Sequence, residues 1–179
     1  IEVQDEGSQL AAMLSGAKPG EQVIDLCAGA GGKTLALAAM MQGKGRLIAT
    51  DSDKRQLAPI YERLSRAGVH NADIRTPKGP DDTLSDIHAS ADLVVFDAPC
   101  TGTGTWRRNP DAKWRMRPGA LEVRIKDQIE VLDRAVPLVK AEAPQVGTGM
   151  ELSLIHISDP TRPTPNSYAV YCFKKKKLG

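Results

Sequence analysis

Apolar residues recur along this chain in two alternating rhythms. Val23 to Cys27, Arg46 to Thr50 and Leu93 to Asp97 are short runs rich in Val, Ile and Leu, and each predicts a buried strand. A weaker run, Ala72 to Arg75, predicts one more strand. The segments between them carry helical spacing instead. Ser8 to Leu14 predicts a short helix closed by Lys18-Pro19-Gly20, and Lys33 to Met41 predicts a second. From Lys54 to Ala67, the positions Leu57, Ile60, Tyr61 and Leu64 share one face, and Gly68 supplies a stop. Leu121, Ile125, Ile129, Leu132 and Val136 form a long stripe expected to pack in the core. Such alternation of strand and helix predicts an α/β fold, a parallel sheet flanked by helices on both faces.

The rhythm breaks after Lys140. Ala141 to Met150 reads as loop, Leu152 to Ile157 as a further strand, and Pro160, Pro163 and Pro165 crowd together ahead of a lysine run from Lys174 to Lys177. This divides the 179 residues into one domain, 1–140, and a tail, 141–179, expected to be poorly ordered. Within it, Leu152 to Lys177 is similar to a peptide translated from a sequencing adapter, which would make the residues after about 150 foreign to the domain.

Composition narrows the function by exclusion. No apolar run approaches bilayer length, and no cationic start leads into an apolar segment, so a cytoplasmic protein with no membrane association is expected. Cys27, Cys100 and Cys172 are too few and scattered for a disulfide framework or a zinc cluster. His70, His88 and His156 lack ligand spacing, and no metal is expected. A net charge of +2 identifies no polyanion partner by itself. Local clustering changes that: Trp106 to Arg117 holds Arg107, Arg108, Lys113, Arg115 and Arg117 beside two tryptophans, against one acid, Asp111. That mixture suits phosphate contact with base stacking, and equally suits a solvated loop whose tryptophans cap the core.

The strand ends carry the candidate chemistry. After the first strand, Ala28 to Gly32 forms a turn whose backbone N–H groups and following helix can meet a ligand. Asp51, after the second strand, is placed to accept ribose hydroxyls, or alternatively to cap the helix beginning near Lys54. Together these imply a nucleoside-containing cofactor. Gly32-Lys33-Thr34 does not make a phosphate loop, because the glycine required five residues earlier is Cys27. Behind the strand at Leu93 stands Asp97-Ala98-Pro99-Cys100, an acid, a restrained bend and a thiol.

These residues resemble the Fmu/Sun group of RNA (cytosine-5) methyltransferases. The resemblance lies in Cys27 to Thr34, in Asp97 to Cys100 with Arg107-Arg108-Asn109-Pro110-Asp111, in Gln4 to Gln9, and in Met116 to Leu121. It implies a Rossmann-like fold that binds S-adenosylmethionine (SAM) and methylates cytosine C5 in ribosomal or transfer RNA. By the same resemblance, the catalytic residues are Cys100, assisting product release, Asp97, contacting base or cofactor, and Lys33, ordering the site. Cofactor contacts are Cys27, Ala28, Gly29, Ala30, Gly31, Gly32, Lys33, Asp51, Arg55, Asp97 and Asp81, with Asp82 or Asp73 as alternatives to the last. Trp106, Arg107 and Arg108 are the expected RNA contacts, and a monomer is expected.

Two departures stand out. Ala30 occupies a place where the group commonly has proline, giving a looser turn. The Thr-Cys-Ser motif that carries the attacking cysteine in this group is absent from the sequence, and Cys172 in Tyr168 to Phe173 only faintly echoes its strand. Weak or absent turnover with SAM binding retained is therefore expected. Two other functions remain in view: a non-catalytic SAM- or RNA-binding module, and an amino-methyltransferase, which Cys100 and Thr101 disfavour because proline and an aromatic usually stand there.

Overall fold

A computed structural model describes residues 2–77, 84–101, 106, 110–115, 117–140, 151–157 and 168–174. The chain runs α1 (Glu6–Leu14), β1 (Gln22–Asp25), α2 (Gly32–Met41), β2 (Arg46–Thr50), α3 (Lys54–Leu57), α4 (Ile60–Arg66), β3 (Ala72–Arg75), β4 (Leu93–Asp97), α5 (Ala120–Ala135), β5 (Glu151–Ile157) and β6 (Tyr168–Lys174). The strands form one sheet in the order β3-β2-β1-β4-β6-β5. The first four strands of that order are parallel, with Val23 opposite Leu47 and Leu93.

Both faces of this parallel part are covered, which is why its strands read as continuous apolar runs. Val23, Leu47, Leu93 and Val95 pack with Ala11 of α1 and with Leu37 and Met41 of α2. Their neighbours Ile24, Ile48, Val94 and Phe96 point the other way, against Ala135 and Leu138. The chain passes from β3 at one edge back to β4 beside β1. Strand order therefore reverses at β1, and open sheets of this kind bind ligands beyond the strand tips at such a point.

Three expectations are corrected. The helix expected from Lys54 to Ala67 is two helices, broken at Ala58-Pro59. Proline has no N–H to donate, and its ring clashes with the carbonyl four residues back, so Pro59 serves instead as the residue before α4. Tyr61, expected on the inner face, is exposed.

The stripe on α5 is not core. Leu121, Ile125 and Ile129 are 57%, 46% and 51% exposed, and Val136 is also exposed. Only the far end of the helix lies on the sheet, through Ala135 with Val131 and Leu132 partly buried beside it. Helical spacing identifies residues that share a face, and the fold decides whether anything lies against that face.

The expected parallel sheet is formed by β1 to β4, and two antiparallel strands extend it beyond β4. β6 runs antiparallel to β4, with Cys172 opposite Val95, and β5 runs antiparallel to β6. The strand expected at Leu152 to Ile157 is β5. Among the described residues no helix is long and apolar enough to cross a membrane.

Candidate functional site

The turn after β1 is built by backbone bonds to its neighbours. Leu26 donates its N–H to the Val95 carbonyl and Ala28 to the Thr50 carbonyl, both at 2.9 Å, so the segment stays tied to β4 and β2 beyond the strand itself. Gly31 N–H then returns to the Ala28 carbonyl at 2.8 Å. Gly31 has a φ of 84°, and a Cβ there would lie 2.5 Å from Cγ1 of Ile60. Glycine is required at this point on both counts. Gly29 (φ 50°) differs, since a Cβ on it would meet nothing within 4 Å.

Asp51 links this turn to the next strand tip. Its carboxylate accepts the N–H of Gly29 and the N–H of Asp53, each at 2.9 Å. The capping role considered for Asp51 belongs to Asp53, which accepts the Arg55 N–H at 2.8 Å. Two bonds leave lone pairs on the Asp51 carboxylate for hydroxyl donors, because a carboxylate has about four acceptor sites.

Lys33, on the first turn of α2, reaches across to the tip of β4. Its Nζ donates to Oδ2 of Asp97 at 2.6 Å, and Lys33 is buried while Asp97 is partly open. Beneath them Thr34 donates its hydroxyl to Asp25 at 2.7 Å. Burial pushes the Asp25 carboxyl up to about 6, against the lowering effect of the Thr34 bond and the Lys33 charge. The Cys27 thiol is pushed up to about 12, first by burial and then by the charges of Asp25, Asp51 and Asp97. It is a protonated packing group, because nucleophilic sulfur requires the thiolate.

A cleft of about 670 Å³ opens over these tips, within the range of small-molecule sites. Cys27, Ala28, Gly29, Gly32, Lys33, Asp51 and Asp97 line it, together with Pro99. Cys100 lines a neighbouring cleft of about 550 Å³. Ala30 and Gly31 stand off the cleft: the Ala30 carbonyl is held by Arg63 at 2.6 Å, and Gly31 packs on Ile60. Arg55 is not brought to the cleft either. Its side chain is 89% exposed and lies 3.6 Å from Asp53. Trp106 is half-buried and lines neither cleft, and Trp114 is exposed. Asp81, Asp82, Arg107 and Arg108 lie outside the described residues, while Asp73 pairs with Arg46 away from the cleft.

Several lining residues were not read from the sequence as site residues. Gln4, Gln56, Arg63, Arg124 and Arg134 join the cleft, and Gln128 donates to the Pro99 carbonyl at 3.0 Å. Arg124, Gln128, Val131 and Ala135 repeat at helical spacing, so a second face of α5 carried the signal. Among the described residues no cluster of His, Cys, Asp and Glu is suited to a metal ion.

A family model described as 16S rRNA methyltransferase RsmB/F matches residues 12–146. Ribosomal RNA small subunit methyltransferase B of Yersinia enterocolitica is 35% identical over 142 residues, covering 78% of this chain and 32% of its own. The protein of the same description from Citrobacter koseri is 28% identical over 176 residues, covering 98% and 39%. Among solved structures, PH0851 aligns with a TM-score of 0.80 and 27% identity, over 97% of this chain and 47% of that one. The chain thus spans about a third of the length of the curated relatives it matches.

Proposed function

The chain belongs to the 16S rRNA methyltransferase RsmB/F family, and on that footing we propose that its cleft binds SAM for methyl transfer to C5 of a cytosine in RNA. The observation that carries this reading is the meeting of three strand tips: the glycine turn after β1, Asp51 after β2, and the Lys33–Asp97 pair at β4. Ribosomal RNA is favoured over transfer RNA by the descriptions of the relatives.

The residues present fit the cofactor. The open space at Gly29 admits a ligand against the backbone, and the free lone pairs of Asp51 suit ribose hydroxyls. Bound SAM supplies an electrophilic methyl group on a cationic sulfur. Cys27, Ala28 and Gly32 shape the floor, Lys33 fixes the Asp97 carboxylate, and Asp97 contacts base or cofactor. Cys100, in the adjoining cleft, meets the base from another side. Arg107 and Arg108 contact the RNA. The protein works as a monomer in the cytoplasm without a metal, with residues 1–140 as the methyltransferase unit and 141–179 as a segment foreign to it.

Radiolabelled SAM offered with cytosine-containing RNA tests this. Retained SAM, with slow transfer confined to cytosine C5, is the expected result. Label on an exocyclic amine replaces the reading with an amino-methyltransferase. SAM retained with no label transferred replaces it with a binding module, a second reading favoured by the missing Thr-Cys-Ser motif.

A further inference from the structure

The cleft beside Cys100 is lined by Arg115, Arg117 and Arg124 and by the Pro118-Gly119 turn that leads into α5. No acidic side chain is among its described lining residues. Arg115 pairs with Asp111, and Arg124 with Asp127 at 2.7 Å, each within one short stretch of chain at the surface. Exposed pairs of that kind are weak, so an incoming anion exchanges for them readily. Guanidinium groups present a fork of donors that matches a phosphate. The two clefts meet here, since Arg124 lines both and the consecutive Pro99 and Cys100 face one each.

We propose that this arginine cleft grips a phosphodiester of the RNA strand next to the target base, with Arg115 and Arg117 as the principal holds. The inference rests on the RNA-methyltransferase reading. It adds a second anchoring point that fixes the strand where the base must pass between Cys100 and Asp97. The tryptophans are not needed for it.

Fluorescence anisotropy with a short single-stranded cytosine RNA, repeated over a range of chloride concentrations, tests the proposal on the full 179-residue chain. The double variant Arg115→Gln, Arg117→Gln is expected to bind about tenfold more weakly, and its plot of log K against log salt to flatten by about 0.7, for the one phosphate no longer neutralised. A charge-matched control, Lys18→Gln with Lys44→Gln, removes two exposed cations from the opposite ends of the strands and is expected to stay within about twofold of the parent. Equal binding by parent and arginine variant, or an equal loss in the control, overturns the proposal. Competition by micromolar inorganic phosphate at constant ionic strength reassigns the cleft to free phosphate and overturns it too. SAM binding, measured on the same proteins, is expected to be unchanged in the arginine variant. If the parent binds SAM and RNA but the arginines do not matter, only the phosphodiester site falls. If the parent binds neither, the functional reading falls with it.

Discussion

Replacing Asp97 with alanine is expected to lower the stability of the fold by about 3 kcal/mol, the low end of the cost of breaking a buried ion pair. Lys33 is the buried partner, and Asp97 the more open one. Removing the acid therefore takes the countercharge from an ammonium group that water reaches poorly, whereas removing the lysine leaves a carboxylate that water can reach. Lys33→Met is expected to cost less than half as much, and Asp97→Asn to recover part of the loss by keeping an acceptor oxygen near Nζ. Urea denaturation of the three variants checks the order. A loss below about 1 kcal/mol in Asp97→Ala means that the pair is not organising the strand tips.

Gly31→Ala is expected to cost a similar amount for a different reason. The left-handed φ of 84° costs an alanine about 1 kcal/mol. Its Cβ would also fall 2.5 Å from Ile60, whose side chain is fully buried in the cluster with Leu57 and Leu64. Ile60 has little room to yield, so overpacking adds about 2 kcal/mol. Gly20→Ala separates the two contributions. Gly20 has nearly the same φ, 87°, with nothing within 4 Å of an added Cβ, and its variant is expected to show the dihedral cost alone. Equal losses at the two positions show that contact between the glycine turn and α4 does not matter.

The site was legible where backbone geometry places it and obscure where packing does. Asp51 and Asp97 follow apolar runs, and strand tips in a parallel sheet converge, so their residues could be placed from sequence order alone. The same held for the glycine turn, although the sequence did not show that Gly31 faces Ile60 and not the ligand. The resemblance implies Arg55 as a cofactor contact and does not single out Gln56. Once Asp53 starts α3, successive residues point about 100° apart, and Gln56 is the one turned to the cleft. On α5 the apolar residues Leu121, Ile125 and Ile129 drew attention to the wrong face. The polar residues Arg124 and Gln128 face the site, and only the three-dimensional arrangement distinguishes a functional stripe from a solvated one. Pro59 was in plain view, and its power to break a helix outweighs the periodicity that continues across it.

Amide chemical shifts recorded while SAM is titrated into the chain test the central claim most directly. The account predicts saturable shifts at Gly29, Gly32, Asp51 and Asp97, where three strand tips border the cleft, with Gly43 and Gly68 at the other ends of the helices unmoved. Shifts centred on Gly43, Gly68 and His70, or a folded chain with no shifts at all, contradict it.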